Sequence, residues 1–436
     1  MVNFADWIGS RRRWLSLRRT AWRGAIYVLP LAVLFAAATA RVAAPDLLDR
    51  MSLICFDLYQ RAAPRKPEGD TPIRIVDIDD DSLKKIGQWP WPRTLVAQLI
   101  DRLREAGASV IAFDIDFAEP DRTSPKLLLP LMAQNGVGSQ EAEKLLAALP
   151  DPDQRLAAAM GTVPTVTGFI LTNHGDARPP AAKAGFAFAG DDPLGRVDSF
   201  PAAVANLPTL EAAAAGNGFL NQYPDWDHVV RRVPLILRLG DKPYPSLAAE
   251  ALRLAFGGHG YVGRAAGANG EKNFGEKTGL TAIRIGPLTV PTDAAGRVWL
   301  YYAPPRPDRF VSAAEVLAGN FDPALFADRI VLVGTSAAGV INDRQATPIA
   351  REVPGVEIHA QLIEEILQGA FLNRPDWAVG AEILFTLLSG IGLILGVSRI
   401  GALPSAILGA ADVVAVIGIS WLTFRQARLL IDPVYP

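Results

Sequence analysis

Across residues 73–121 the spacing of apolar positions changes twice. Ile73, Ile75, Val76 and Ile78 form a β-rich run, Leu95, Leu99, Ile100 and Leu103 recur at helical steps, and residues 110–117 return to β composition. The pattern predicts strand, helix, strand. A parallel pair joined by a crossover helix needs both faces of its sheet covered, so the expected fold class is α/β, with a mixed, largely parallel sheet flanked by helices. Downstream, residues 127–160 alternate helical stretches with breaks at 135–136 and 150–152, and residues 163–171 read as a third strand. Residues 173–195 lack a period and predict a surface loop, as does 257–279, where eight glycines interrupt any regular element. Short strands are expected from residue 219 and over 229–239, helices over 246–256 and 312–318, the latter with Ser312 as its cap, and a hairpin pairing 283–290 with 298–302. A second strand-to-helix unit starts at residue 329, and a helix over 356–367 places His359, Leu362, Ile363 and Ile366 on one face.

The two ends of the chain follow a different pattern. Seventeen uncharged residues lie between Arg23 and Arg41, enough to cross a hydrocarbon core of about 30 Å. Arg11, Arg12, Arg13, Arg18, Arg19 and Arg23 precede them against the single acid Asp6, so the positive-inside rule puts residues 1–23 in the cytoplasm and a span at 24–43. A cleaved signal peptide is the rival, but the apolar run exceeds the ~7–15 residues of a signal core. Over residues 46–60, Leu48, Met51, Cys55 and Leu58 mark an amphipathic helix, either packed on the domain or forming a dimer seam. Near the other end, 377–397 is a second span with Glu382 as its only charge, and 400–424 a third containing Asp412. Carboxylates inside spans are costly, so both acids are expected to face other helices or an interface, Asp412 through a polar contact between spans rather than on an ion path. Residues 44–376 then form one extracytoplasmic domain, and 425–436 an outer tail resembling the start of a fourth span.

Composition narrows the function. A net charge of −2 gives no basic footprint for nucleic acid. Cys55 is the sole cysteine, which excludes an intrachain disulfide and a thiolate metal site.

Acids cluster where the first two strands end, beyond the carboxyl ends where α/β sheets hold ligands. Asp77 and Asp79 are two residues apart, and Asp114 and Asp116 repeat the spacing. Were those strands neighbours, four carboxylates would converge, and repulsion would raise some of their pKa values unless a cation relieved it. Pairing with Arg74, Arg93 or Arg231, or capping of the turns that follow, is the structural reading; an organic ligand, a hard cation or catalysis are the functional ones. Trp89-Pro90-Trp91-Pro92-Arg93 starts the helix between them, as a buried anchor or a stacking platform. Gly334-Thr335-Ser336-Ala337-Ala338 approaches a nucleophile elbow but has Ala338 where the elbow needs glycine. His174, His228, His259 and His359 are scattered, so no catalytic residue, metal site or cofactor is assigned. The candidate ligand-binding residues are Asp77, Asp79, Trp89, Trp91, Arg93, Asp114, Asp116 and Arg231.

Several of these blocks together resemble a known family. The run Asp77-Ile78-Asp79, Ser82-Leu83, Gly87, Trp89 to Arg93, Ala106-Gly107-Ala108 and Phe113-Asp114 is similar to the second class of CHASE sensors, extracytoplasmic domains associated with cyclases and histidine kinases. The resemblance continues in Tyr244-Pro245-Ser246-Leu247, Ile330-Val331-Leu332-Val333-Gly334, Thr347-Pro348 and Pro354-Gly355-Val356-Glu357-Ile358-His359-Ala360, and so covers most of residues 46–376. It departs at Asp227-His228, where the family has Asp-Gly. The resemblance implies a membrane receptor, periplasmic or extracellular in its sensing part, working as a homodimer in the bacterial inner membrane. An unidentified extracytoplasmic ligand would act through three later spans on a cytoplasmic effector, most often a class III adenylate cyclase, otherwise a histidine or Ser/Thr kinase. An anchored hydrolase and a transporter subunit with Asp412 on its path are the alternatives of other classes.

Overall fold

The computed structural model describes residues 30–36, 39, 45–67, 69–70, 72–135, 140–175, 178–265, 267–268, 279–338, 344–375 and 377–435. Two compact units result, Gln60–Asn373 and a second made of Met1–Tyr59 with Arg374–Pro436. The expected cytoplasmic N-terminus, 1–23, lies outside the described residues, as does much of the span expected at 24–43, of which residues 30–36 and 39 are helical.

The first unit is built on a seven-stranded sheet. Its strands are β1 (Ile73–Ile78), β2 (Val110–Phe113), β3 (Thr165–Thr172), β4 (Ala202–Val204), β5 (Gly216–Phe219), β6 (Phe310–Ser312) and β7 (Ile330–Thr335). They run in the order β6-β1-β7-β2-β3-β4, and β5 also pairs with β3. Every pairing is parallel except β3 with β4. The chain is therefore α/β with flanking helices, as its pattern of periods predicts. Helices used below are α1 (Pro45–Ala62), α2 (Asp80–Ile86), α3 (Arg93–Glu105), α4 (Pro152–Met160), α5 (Leu247–Ala255) and α6 (Gly355–Gln368).

Alternation along the strands sorts the core into two layers. Ile73, Ile75, Val110, Ala112, Ile330 and Leu332 face α5 and α6, packing with Leu247, Ala251, Val356, Leu362 and Ile363. Val76, Ile78, Ile111, Phe113, Val331 and Val333 face α3 and α4, packing with Val96, Leu99, Ile100, Leu103, Leu156 and Met160. Each face is thus covered by helices, the condition a parallel sheet imposes.

One topological fact corrects the simplest sequence reading. β1 and β2 are not neighbours, because β7 lies between them, with Asp77 opposite Gly334 and Phe113 opposite Val333. The four strand-end acids therefore do not meet on adjacent strands. Smaller elements differ too. Gly185–Ala189 and Gly260–Ala265, inside the two expected loops, are strands that pair with each other and extend the sheet of Leu280–Ile285 and Leu288–Pro291. Those last two form the hairpin, while Arg297–Trp299 pairs instead with Arg232–Pro234. Residues 185–189 alternate exposure along the strand, but Gly and Ala at three of their five positions hide the β signal. Strand β5 occupies Gly216–Phe219 and ends where a strand was expected to begin; its glycines are needed because a Cβ on Gly218 would lie 2.5 Å from the Leu247 backbone. The helix at Ala313–Ala318 follows Ser312, yet Ser312 Oγ makes no cap bond; Ser82 Oγ accepts the Ala314 N–H at 3.0 Å in its place.

The second unit holds two helices long and apolar enough to cross a membrane, Trp377–Val397 and Leu403–Ala427. Ser389 Oγ donates to Asp412 between them, the polar contact the sequence predicts for that acid. Glu382, buried, accepts from Arg374 at 3.1 Å and from the Asp432 N–H at 2.8 Å, so it ties the start of its helix to residues 429–435. Tyr59 of α1 donates to Ser420 at 3.2 Å and sets its ring against Trp421 and Phe424.

Close packing at Gly334 yields a prediction. A Cβ there would lie 2.6 Å from Val356 Cβ, a branched atom fixed in α6. Gly334→Ala is expected to push β7 and α6 apart at a cost of about 1–3 kcal/mol. Thermal unfolding of the purified chain checks this, with a midpoint several degrees below wild type expected.

Candidate functional site

The carboxyl ends of β1, β7 and β2 lie side by side, and alternation turns Asp77, Gly334 and Asp114 to the same face, toward α6. Asp114 continues the ladder by donating its N–H to Val333 O at 2.8 Å. The two acids flank Gly334, one strand away on each side, so their backbones are roughly 10 Å apart at ~4.8 Å per strand. Gly334 has no side chain to fill that gap, and Val356 from the first turn of α6 enters it.

Each acid has its own partner. Asp77 Oδ1 accepts from the Ser336 N–H at 2.9 Å and Oδ2 from Ser336 Oγ at 2.6 Å. Burial pushes the Asp77 carboxyl up to about 6, the Ser336 bonds oppose that rise, and nearby Asp79 adds to it. Ser336 Oγ thus donates to Asp77, while His359 faces Asp114. Asp114 faces His359 of α6, with Oδ1 and Nε2 3.6 Å apart and side-chain exposures of 6 % and 0 %. Burial alone pushes the Asp114 carboxyl up to about 7.

The other sequence candidates are drawn elsewhere. Asp79 has left the strand and caps α2, accepting from Ser82 N–H at 2.7 Å and Ser312 Oγ at 3.0 Å. Trp91 is buried and donates its Nε1–H to Gly87 O at 2.9 Å, and Trp89 meets it edge to face. Arg93 sits over the Phe117 ring at 4.6 Å and reaches Asp153 at 3.6 Å and Glu119 O at 3.1 Å, while its N–H donates to Asp121. Burial lowers the Arg93 pKa, and Asp153, Asp121 and Asp116 counter it. That is how Asp116 bears on the site: as a charge near Arg93, not as a partner of Asp114. Arg231 pairs with Asp225 at 3.0 Å and Asp227 at 2.7 Å, and Arg74 with Asp70 at 2.9 Å, so neither arginine neutralises Asp77 or Asp114. Of the eight candidates, then, Asp77 and Asp114 share the site at the strand ends, and the tryptophans and Arg93 build the turn that precedes α3.

Sequence reasoning missed the opposite side of α6. There Glu357, Gln361, Glu364 and Gln368 line up at steps of three and four residues, all but Gln368 buried. Arg309 donates to Glu357 at 2.7 Å and Glu364 at 2.8 Å. Arg65, three residues past α1, donates to Gln361 and Glu364, each at 2.8 Å, and to Gln368 at 2.5 Å. Two arginines thus meet two glutamates in a region where no side chain of the four is more than 6 % exposed. Burial raises the Glu357 pKa and Arg309 opposes the rise. Glu365, next on the helix, accepts from the Tyr301 N–H at 2.8 Å. The signal was the acid-and-amide stripe itself, which looks like a solvated face until something basic covers it.

In comparison with known proteins, the family model described as CHASE2 domain matches residues 30–396. No curated protein matches the chain, and no solved structure does.

The raised Asp77 pKa fixes the sign of a pH effect. Unfolded, this carboxyl ionises near its ordinary value of 3.8; folded, it holds its proton to about 6. Its contribution to stability is therefore complete below about pH 4 and lost as pH rises through 6. Asp77→Asn is expected to flatten that part of the decline in unfolding midpoint between pH 4 and 6, read by thermal melts of the full chain at half-unit steps.

Proposed function

We propose, for a chain that belongs to the CHASE2 domain family, that the strand-end site of its sensor domain receives an extracytoplasmic stimulus and that α6 carries the change toward the membrane. Its being a membrane sensory module fits the domain and the two apolar helices that follow it. The finer reading rests on one observation, the position of α6. Its first turns supply Val356 and His359 to the strand ends, and its last turns precede the helix that starts at Trp377. Between those points its polar side is gripped by Arg309 and by Arg65, which follows α1. A stimulus that favours one position of α6 over another by 1.4 kcal/mol shifts the output tenfold.

In this reading the N-terminus is cytoplasmic, the sensor domain is periplasmic or extracellular, and the module works as a homodimer in the bacterial inner membrane. The effector is a class III adenylate cyclase; a histidine kinase or Ser/Thr kinase would receive the same input. An anchored hydrolase using the strand-end carboxylates is the alternative of another class.

Tandem mass spectrometry of the protein purified from its native membranes tests the effector. A class III cyclase domain is expected, in the same polypeptide or co-purifying with it. A kinase domain in its place would redirect the output, and ester or phosphate hydrolysis lost in Asp77→Asn would favour the hydrolase. The relay has a separate test. With a cyclase reporter joined after Pro436 through one added transmembrane helix, which returns it to the cytoplasm, Glu364→Gln is expected to change cyclic AMP production severalfold at equal membrane abundance.

A further inference from the structure

We propose that Asp114 and His359 form a proton-operated latch, in which loss of the proton from the Asp114 carboxyl frees the first turns of α6 from the sheet. The proposal deepens the sensory reading above and rests on it for its consequence, while its geometry stands on the pair alone. Asp114 lies just past the end of β2 and His359 in the second turn of α6, 3.6 Å apart. Among the described residues, this contact at the strand ends joins a titratable group of the sheet to one of that helix.

The surroundings make the proton count matter. On the α6 face that carries His359, Val356, Leu362, Ile363 and Ile366 are buried in the apolar layer. Charged groups on the elements packed against α6 are already engaged. On β1, Asp77 is held by Ser336, and Arg74 by Asp70. On α5, Glu250 and Arg253 bind each other at 2.7 Å, and Tyr261 donates to Glu250 at 2.5 Å. Arg344, which precedes the short strand at Val353–Pro354, pairs with Glu352 at 3.5 Å. On α6 itself, Glu357, Glu364 and Glu365 face Arg309, Arg65 and Tyr301 on the opposite side. Asp116, two residues past Asp114, acts on Arg93.

With its proton the buried Asp114 carboxyl is neutral beside His359. Without it, a net negative charge remains in an apolar layer, where an unpaired ion is strongly disfavoured. Burial places the Asp114 titration at about 7, within the range an extracytoplasmic compartment can cross. The cheapest relief is to move: α6 lifts at its first turns and admits water to the carboxylate. His359 is a positioning residue in this scheme, and Asp114 carries the charge that decides it.

Hydrogen–deuterium exchange of the full chain in nanodiscs tests the latch, with rates at pH 5.5 and 8.5 corrected for intrinsic exchange. Protection of residues 355–366 is expected to fall at least tenfold at pH 8.5 in wild type and to stay level in Asp114→Asn. Equal protection at both pH values in wild type overturns the proposal. So does a pH response that persists in Asp114→Asn. If Asp114→Asn fails to give a monodisperse protein with wild-type circular dichroism, Asp114→Ser takes its place, and a response that survives in it overturns the latch. None of these outcomes depends on an effector, so failure here leaves the sensory reading to its own tests.

Discussion

Four charges buried together, Arg65 and Arg309 against Glu357 and Glu364, set the terms for the rest of the sensor domain. Removing ions from water costs several kcal/mol each, and the cost is recovered only when charges balance and the remaining hydrogen-bonding positions are filled. Here Gln361 helps fill them, donating to Glu357 at 2.9 Å, accepting from Arg65, and bonding both ways to the Ala303 backbone. The network therefore specifies position more than it adds stability. Arg65 binds only if the segment after α1 is in place, and Arg309 only if β6 is, so α6 has one seat defined from two directions. Gln60 adds to this by accepting the Tyr302 N–H at 3.0 Å.

That seat leaves a helix buried on every side with two unlike faces. From Gly355 to Ile366 each residue of α6 is buried, but the two sides are held by different physics. The side toward the sheet is apolar packing interrupted by His359, and the other side is ionic. Apolar contact tolerates small sliding, whereas Arg309, which bridges two glutamates, requires defined geometry.

Much of this was legible in the amino-acid sequence, and the failures have physical causes. The periods at 73–117 identify β1, α3 and β2 because each element buries one face or both, and burial leaves a periodic trace. Asp77 and Asp114 stand out because aspartate is rare at the end of a buried strand without a reason. Their separation by β7 was hidden, since nothing local in either strand encodes which third strand will pair with both. His359 was visible as one polar residue on an apolar face, yet its partner became evident only with the sheet order. The arginine network was the least legible part: Arg65 and Arg309 are 244 positions apart and share only a helix that looks amphipathic to solvent. Strand 185–189 went unseen because small residues, which suit close strand approach, carry little β propensity.

The seating of β7 between β1 and β2 also governs how this chain comes off the ribosome. β1, α3 and β2 emerge early and in the order of a self-sufficient parallel unit, but the slot between the two strands stays open until about 200 more residues have been made, the kind of long-range pairing that slows folding. During that interval two unpaired strand edges face one another across a gap, each able to recruit a foreign strand. The slot can close in its native order only once residue 335 has emerged, and a version stopping before β7 lacks the strand that fills it.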